Sequence, residues 1–177
     1  RFLVPKFSSL LMSANNAAEN MDTYSVLFDV CADDATTYIP LLQNSLTDGK
    51  DGSLFINKNQ IGLGGSLKYN GSIENGKWYR VVFVVQPNGG FLYVDGKLLS
   101  GSLSLDDAYN KHWKLTTGAL FVADEDGEEK DIKTSDIRFW DQALSADQVA
   151  SLGAVGDEIP EINNIEAFVA TLNGDYM

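Results

Sequence analysis

The sequence predicts an all-β chain: two antiparallel sheets packed as a sandwich, with one short helix near the C-terminus. Three observations predict it. Residues 77–99, KWYRVVFVVQPNGGFLYVDGKLL, read as strand, tight turn, strand, second turn, strand. Short strand signals recur along the chain at the spacing of a sandwich or jelly roll. The 177 residues suffice for one domain that buries roughly 70% of its unfolded surface, so no disulfide or metal staple is required.

Taken in order, residues 1–22 mix apolar and small polar types, and FSSLLMSANNAAENM reads as a short strand or a single helical turn. Tyr24 to Val30 is the first clear strand. Thr37 to Leu42 is the next, and Pro40 places it at an edge or a bulge because proline gives no amide to the ladder. The loop Thr47 to Gly52 leads into a strand at Ser53 to Ile56. Short strands around Ile61 and around Leu67 to Tyr69 flank Gly62-Leu63-Gly64-Gly65. Asn70-Gly71 and Asn75-Gly76 are turns.

Trp78 opens the double hairpin of residues 77–99. Its Val, Phe and Tyr suit a pleated, half-buried surface. Asn88-Gly89 and Asp95-Gly96 supply the positive φ that short hairpin turns need. Ser100 to Lys114 is polar and loop-like. Leu115 to Ala123 is a further strand and Ile132 to Trp140 contains the last clear one, with the acidic loop Asp124 to Glu129 between them. The helix is Ser145 to Leu152: Ser145 and Gln148 have capping-box spacing, Leu144 and Val149 that of a hydrophobic staple, and Gly153 the stop. The domain is placed at residues 1–153. Residues 154–177 read as a linker plus a closing strand or the start of a following module.

The formal charge is −12 and the pI about 4.3. Such a surface repels phosphate backbones and anionic membranes and suits cations and neutral ligands. No apolar run approaches the ~20 residues that span a bilayer, so direct membrane insertion is not expected. The opening RFLVPKF has neither an initiator Met nor a signal pattern, and the chain is expected to be a processed or excised piece. Cys31 stands alone, which excludes an internal disulfide, a cysteine zinc quartet and a CxxC pair; a buried, inert thiol is expected.

Three tracts together resemble one superfamily: the hairpins from Trp78 to Gly96, the ADEDGEE loop, and the ending SDIRFWDQALSADQVASLG. They are similar to the concanavalin A-like laminin G/pentraxin modules, above all the laminin G-like domains of bacterial multidomain surface proteins. In that family a Trp-initiated strand leads to a YVDG hairpin, and an ADxDGE loop precedes a strand ending in WDxALS and a short helix. Asp48 to Ile56 resembles the family's DG-x-LFI turn. The resemblance covers about residues 22–153. It implies a jelly roll whose concave sheet or rim loops bind glycans, a calcium ion in many members, and an extracellular or cell-surface setting.

A laminarinase-type glycosidase needs E-x-D-x-x-E on one strand, its carboxylate pair about 5–5.5 Å apart for retention. The nearest match runs from Glu129 through Asp131 to Thr134, where the second acid is missing. His112, the only histidine, sits in a Lys-His-Trp loop that reads as surface or packing. No catalytic residue is assigned. Asp124, Asp126 and Glu128 alternate, so an extended backbone puts their hard oxygen donors on one face, an arrangement suited to calcium. Asp48 and Asp51 form a weaker pair.

For sugars, aromatic faces stack on pyranose rings while polar groups fix orientation. Trp78, Phe83, Tyr93, Phe139 and Trp140 fall in strand patterns and read as core. The loop residues Trp113, Tyr109 and Tyr69, with Asn110, Asn70 and Asp107, are the candidate ligand-binding set, with Trp113 as the platform. The expectation is therefore a non-catalytic, lectin-like module that binds a glycan or polysaccharide, with structural calcium. A protein–protein adhesion or spacer module is the first alternative, and a divergent glycoside hydrolase the second.

Overall fold

The computed structural model describes residues 2–4, 10–12, 23–43, 53–63, 66–67, 72–87, 89–103, 113, 119–122, 130–162 and 168–170. Their strands form two antiparallel sheets. The first contains β1 (Phe2–Val4), β3 (Tyr24–Cys31), β8 (Trp78–Gln86), β9 (Gly89–Val94), β10 (Lys97–Leu103), β12 (Ile132–Trp140) and β13 (Phe168–Ala170). The second contains β2 (Leu10–Met12), β4 (Ile39–Gln43), β5 (Ser53–Asn57), β6 (Gln60–Leu63), β7 (Ser66–Leu67) and β11 (Ala119–Phe121). The first sheet runs β1-β12-β3-β8-β9-β10, with β13 also pairing β12, and the second runs β2-β11-β4-β5-β6-β7. The expected sandwich is thus present.

Two local expectations are refined. Pro40 sits at a register shift inside the second sheet, so it marks a bulge and not an edge. The strand expected to end at Leu99 continues as β10 to Leu103, carried past two register shifts against β9.

The inter-sheet core takes alternate residues from facing strands. Tyr24, Val26, Phe28 and Val30 of β3 meet Val81, Phe83 and Val85 of β8, and across the gap lie Ile39, Leu54, Ile56 and Ile61. Aromatic pairs tie it together: Tyr24 stacks on Phe139 at 5.6 Å, and Phe28 meets Phe121 of the other sheet at 5.8 Å. Burial pushes the Tyr24 phenol well above its ordinary range.

Every residue of β3 is buried, not every second one. The reason is a second apolar layer on the outer face of the first sheet. Leu27, Val82, Val84, Tyr93 and Trp140 pack there beneath Leu144, Val149 and Leu152, with Ile159 and Ile162 partly buried against them. Helix α1 (Ala146–Ser151) supplies the cover. Its capping box forms as the sequence predicts: Gln148 N–H donates to Ser145 Oγ at 3.2 Å, and Ser145 N–H donates to Gln148 Oε1 at 2.8 Å. Ser25 holds the entry to the helix, accepting from Leu144 N–H and donating to the Gln142 carbonyl, both at 2.9 Å.

A buried ion pair lies in the same layer. Arg80 Nε and Nη2 donate to the two carboxylate oxygens of Asp29 at 2.8 and 2.7 Å. Arg80 Nη1 also donates to the Leu152 carbonyl at the end of α1, and the guanidinium reaches the Asp157 carbonyl at 3.5 Å. Burial pushes the Asp29 carboxyl upward from its usual range, and Arg80 opposes that through its hydrogen bonds and charge. Asp95, in the YVDG turn, accepts from Arg80 N–H at 2.9 Å and returns its own N–H to the Arg80 carbonyl. Asp95 and Gly96 both have positive φ, as a two-residue hairpin requires.

Removing one partner of such a pair strands a charge and, here, carbonyls of the helix end. Arg80→Met is expected to cost about 3–5 kcal/mol in urea unfolding. Asp29→Leu combined with Arg80→Met recovers part of that loss. Equal unfolding midpoints for wild type and Arg80→Met would refute this account.

Candidate functional site

With the outer face of the first sheet covered, the outer face of the second becomes the place to look for a ligand surface. Strand alternation selects its residues. Leu54 and Ile56 of β5 enter the inter-sheet core, so Phe55 and Asn57 point away from it. In β6 Gly62 lies opposite Phe55, and Gln60 opposite Asn57. Pro40 of β4 pairs with Phe55 on the other side, and the bulge that follows sends both Leu41 and Leu42 inward.

These positions assemble an aromatic ledge. The Tyr38 and Phe55 rings are 5.1 Å apart and tilted by 37°. Phe55 is 4% exposed and forms the floor, while Tyr38 is half-buried and keeps a solvent edge. Gly62 makes room for the floor: a Cβ there would fall 2.2 Å from the Phe55 ring, so the ring lies against bare backbone. Gln43 Nε2 donates to Tyr38 Oη at 3.5 Å. Asn57 and Gln60, both half-buried, complete a rim of neutral amides.

The hairpin bearing those amides is fixed at its turn. Lys58 and Asn59 both have positive φ. Asn59 N–H donates to the Ala35 carbonyl at 2.8 Å, and Asn59 Nδ2 donates to the Ile73 carbonyl at 2.8 Å. Asn75 Oδ1 accepts from Ala35 N–H at 2.9 Å. Three loops are thereby knitted into one rim. Chemically, an aromatic face beside uncharged donors and acceptors can hold a ligand with apolar faces and hydroxyl edges.

The sequence-predicted residues fare differently. Trp113 is a correction: it is 1% exposed, in the inter-sheet core, with its ring edge-on to Phe83 at 4.9 Å. A polar loop context suggested a surface platform, but the indole fills the space between the sheets. Tyr109, Asn110, Tyr69, Asn70 and Asp107 lie outside the described residues, as do His112 and the carboxylates Asp124, Asp126, Glu128, Asp48 and Asp51. Among the described residues no group of three His, Cys, Asp or Glu could hold a metal ion. Thr134 is buried, and its hydroxyl donates to the Asp29 carbonyl at 2.9 Å. Phe83, Tyr93, Phe139, Trp140 and Cys31 are buried as expected, whereas Trp78 is half-buried.

Tyr38 and Phe55 were legible as strand residues and missed as a site. The available signal was the alternation Leu54-Phe55-Ile56, which puts one bulky aromatic on the face opposite two aliphatics. Gly62→Ala tests the ledge. The methyl must displace the Phe55 ring, and overpacking of this kind costs typically about 1–3 kcal/mol. Thermal unfolding checks the loss, and an unchanged melting temperature would contradict the close approach.

Comparison with known proteins gives a consistent picture of the fold. A laminin G-type family profile, described as the concanavalin A-like lectin/glucanases superfamily, matches residues 16–150. A search of curated proteins returns no match. Among solved structures, the heptameric SAP-like pentraxin of Limulus polyphemus aligns with a TM-score of 0.63 at 17% identity, over 94% of this chain and 90% of its own. Trypanosoma rangeli sialidase, in complex with 2,3-difluorosialic acid, aligns with a TM-score of 0.63 at 21% identity over 78% of this chain. The match spans only 24% of the sialidase. Domain 4 of an extracellular arabinanase from Geobacillus stearothermophilus, in complex with arabinotriose, aligns with a TM-score of 0.58 at 16% identity, over 85% of this chain and 75% of the domain. At these identities the likeness is one of fold.

Proposed function

The chain belongs to the concanavalin A-like lectin/glucanases superfamily, and we propose that it serves as a non-catalytic carbohydrate-binding module of a secreted or cell-surface protein. One observation carries the reading. The sandwich has one outer face covered by α1, and on the other a Tyr38 ledge seated on Phe55 with Asn57 and Gln60 beside it. Aromatic surface and neutral amides are what a sugar ring and its hydroxyls require. The arabinotriose bound by the arabinanase domain supports the same reading. The non-catalytic part rests on Thr134, which stands buried where a glycosidase strand would present its second carboxylate.

A second reading, protein adhesion, is favoured by Leu98 and Leu99, exposed at 50% and 37% on edge strand β10. The two separate by experiment. In isothermal titration against oligosaccharides chosen from a glycan array, Tyr38→Ala loses binding by about tenfold or more, roughly the worth of one stacked ring. Tyr38→Phe keeps most of it. Absence of signal on every glycan, with and without calcium, would leave adhesion as the better reading.

Calcium belongs to the proposal through donor chemistry. Asp124, Asp126 and Glu128 offer hard oxygens at alternating positions, as a 6–8-coordinate cation prefers. Calorimetric titration with calcium is expected to release or absorb heat and raise the melting temperature, and Asp126→Asn to abolish both. Neither heat nor a thermal upshift in the wild type would remove calcium from the reading.

A further inference from the structure

We infer that the Tyr38 face selects neutral glycans and discriminates against sialylated, uronic or sulfated ones. This rests on the carbohydrate reading and deepens it. Carboxylate and sulfate groups on sugars are held best by guanidinium, whose planar fork donates two parallel hydrogen bonds. The chain has three arginines, Arg1, Arg80 and Arg138.

Both described arginines lie on the first sheet. Arg80 is buried, with its donors directed at Asp29, the Leu152 carbonyl and the Asp157 carbonyl. Arg138 sits on β12, 3.6 Å from the Asp136 carboxylate. The inter-sheet core separates that sheet from the ledge.

The polar groups at the ledge are of another kind. Among the described residues, the half-buried Asn57, Gln60 and Tyr38 phenol carry donors and acceptors with no charge, a match for hydroxyls, while the buried Gln43 donates to the phenol. The described cation nearest in sequence to the ledge is Lys58, exposed in the turn between Asn57 and Gln60. It is a hydrated point charge without a fork. Its backbone N–H donates to Thr36, and Thr36 in turn donates from both N–H and hydroxyl to the Asp34 carboxylate, so an acid shares its neighbourhood. The net charge of −12 adds a repulsive field against any polyanion, strongest at low salt.

The test uses the whole chain and matched pairs that differ only in charge: lactose against sialyllactose, and desulfated against sulfated oligosaccharide, beside arabino- and laminari-oligosaccharides. Affinities are measured at low and physiological salt. The neutral member is expected to bind about tenfold tighter or more, with the gap narrowing as salt rises. Arg138→Gln, away from the ledge, leaves neutral binding unchanged. Anionic members bound as tightly as their neutral partners would overturn the selectivity while leaving the carbohydrate reading in place. Loss of neutral binding in Arg138→Gln would also overturn it, by placing a guanidinium in the site. Binding to no glycan of either kind would overturn both.

Discussion

The buried pair between Arg80 and Asp29 is the constraint from which the rest of this structure follows. Neither group can stay ionised in an apolar layer unless it is paired and its remaining donors are satisfied. The sequence supplies the carboxylate from β3, a carbonyl from the end of α1 and another from Asp157. The helix is only 6 residues long, too short to be stable alone in water. What holds it is its docking: apolar contact through Val149 and Leu152, the Ser25 bridge, and the guanidinium at its far end. The YVDG turn joins the same network, because Asp95 fixes the backbone of the strand that carries Arg80.

Closing one face has a consequence for the other. A two-sheet sandwich has two outer faces, and a ligand surface under α1 on the first would have to displace the helix and break the ion pair. Among the described residues, no helix covers the second sheet. Its bulge after Pro40 turns two successive leucines into the core, and the glycine opposite Phe55 lets a large ring lie flat. The result is an aromatic floor in a sheet whose described polar side chains, Gln43, Asn57 and Gln60, are neutral amides. The cover over one face and the seating of Tyr38 on Phe55 at the other both come from packing and not from any special motif.

How much of this the sequence disclosed depends on the range of the interaction. The hairpins, the Asp95-Gly96 turn, the capping box and the stop at Gly153 were all legible, because each is decided by residues a few positions apart. So was the burial of Trp140. Arg80 was not singled out, since Asp29 lies 51 residues away and becomes its partner only once β3 and β8 pair in register. Phe55 and Gly62 show the same limit at shorter range: their contact exists only after the β5–β6 hairpin fixes who stands opposite whom. Trp113 was misplaced for the converse reason. Its neighbours in sequence are polar, yet its environment is set by Phe83 on another strand.

The ion pair also bears on catalysis. Thr134 is buried at a register irregularity of β12, and its hydroxyl is engaged by the carbonyl of Asp29 itself. A carboxylate at position 134 would need to shed its water beside a residue already paired to Arg80, with Asp136 two positions on. Arg80 is already taken by Asp29 and Arg138 lies against Asp136, so the added charge would lack a partner of its own, and an unpaired buried charge costs several kcal/mol. Thus the strand that would carry an acid pair for glycoside hydrolysis is here occupied in holding the scaffold. The same residues that lock the helix onto the sheet are the ones that support the non-catalytic part of the proposed binding role.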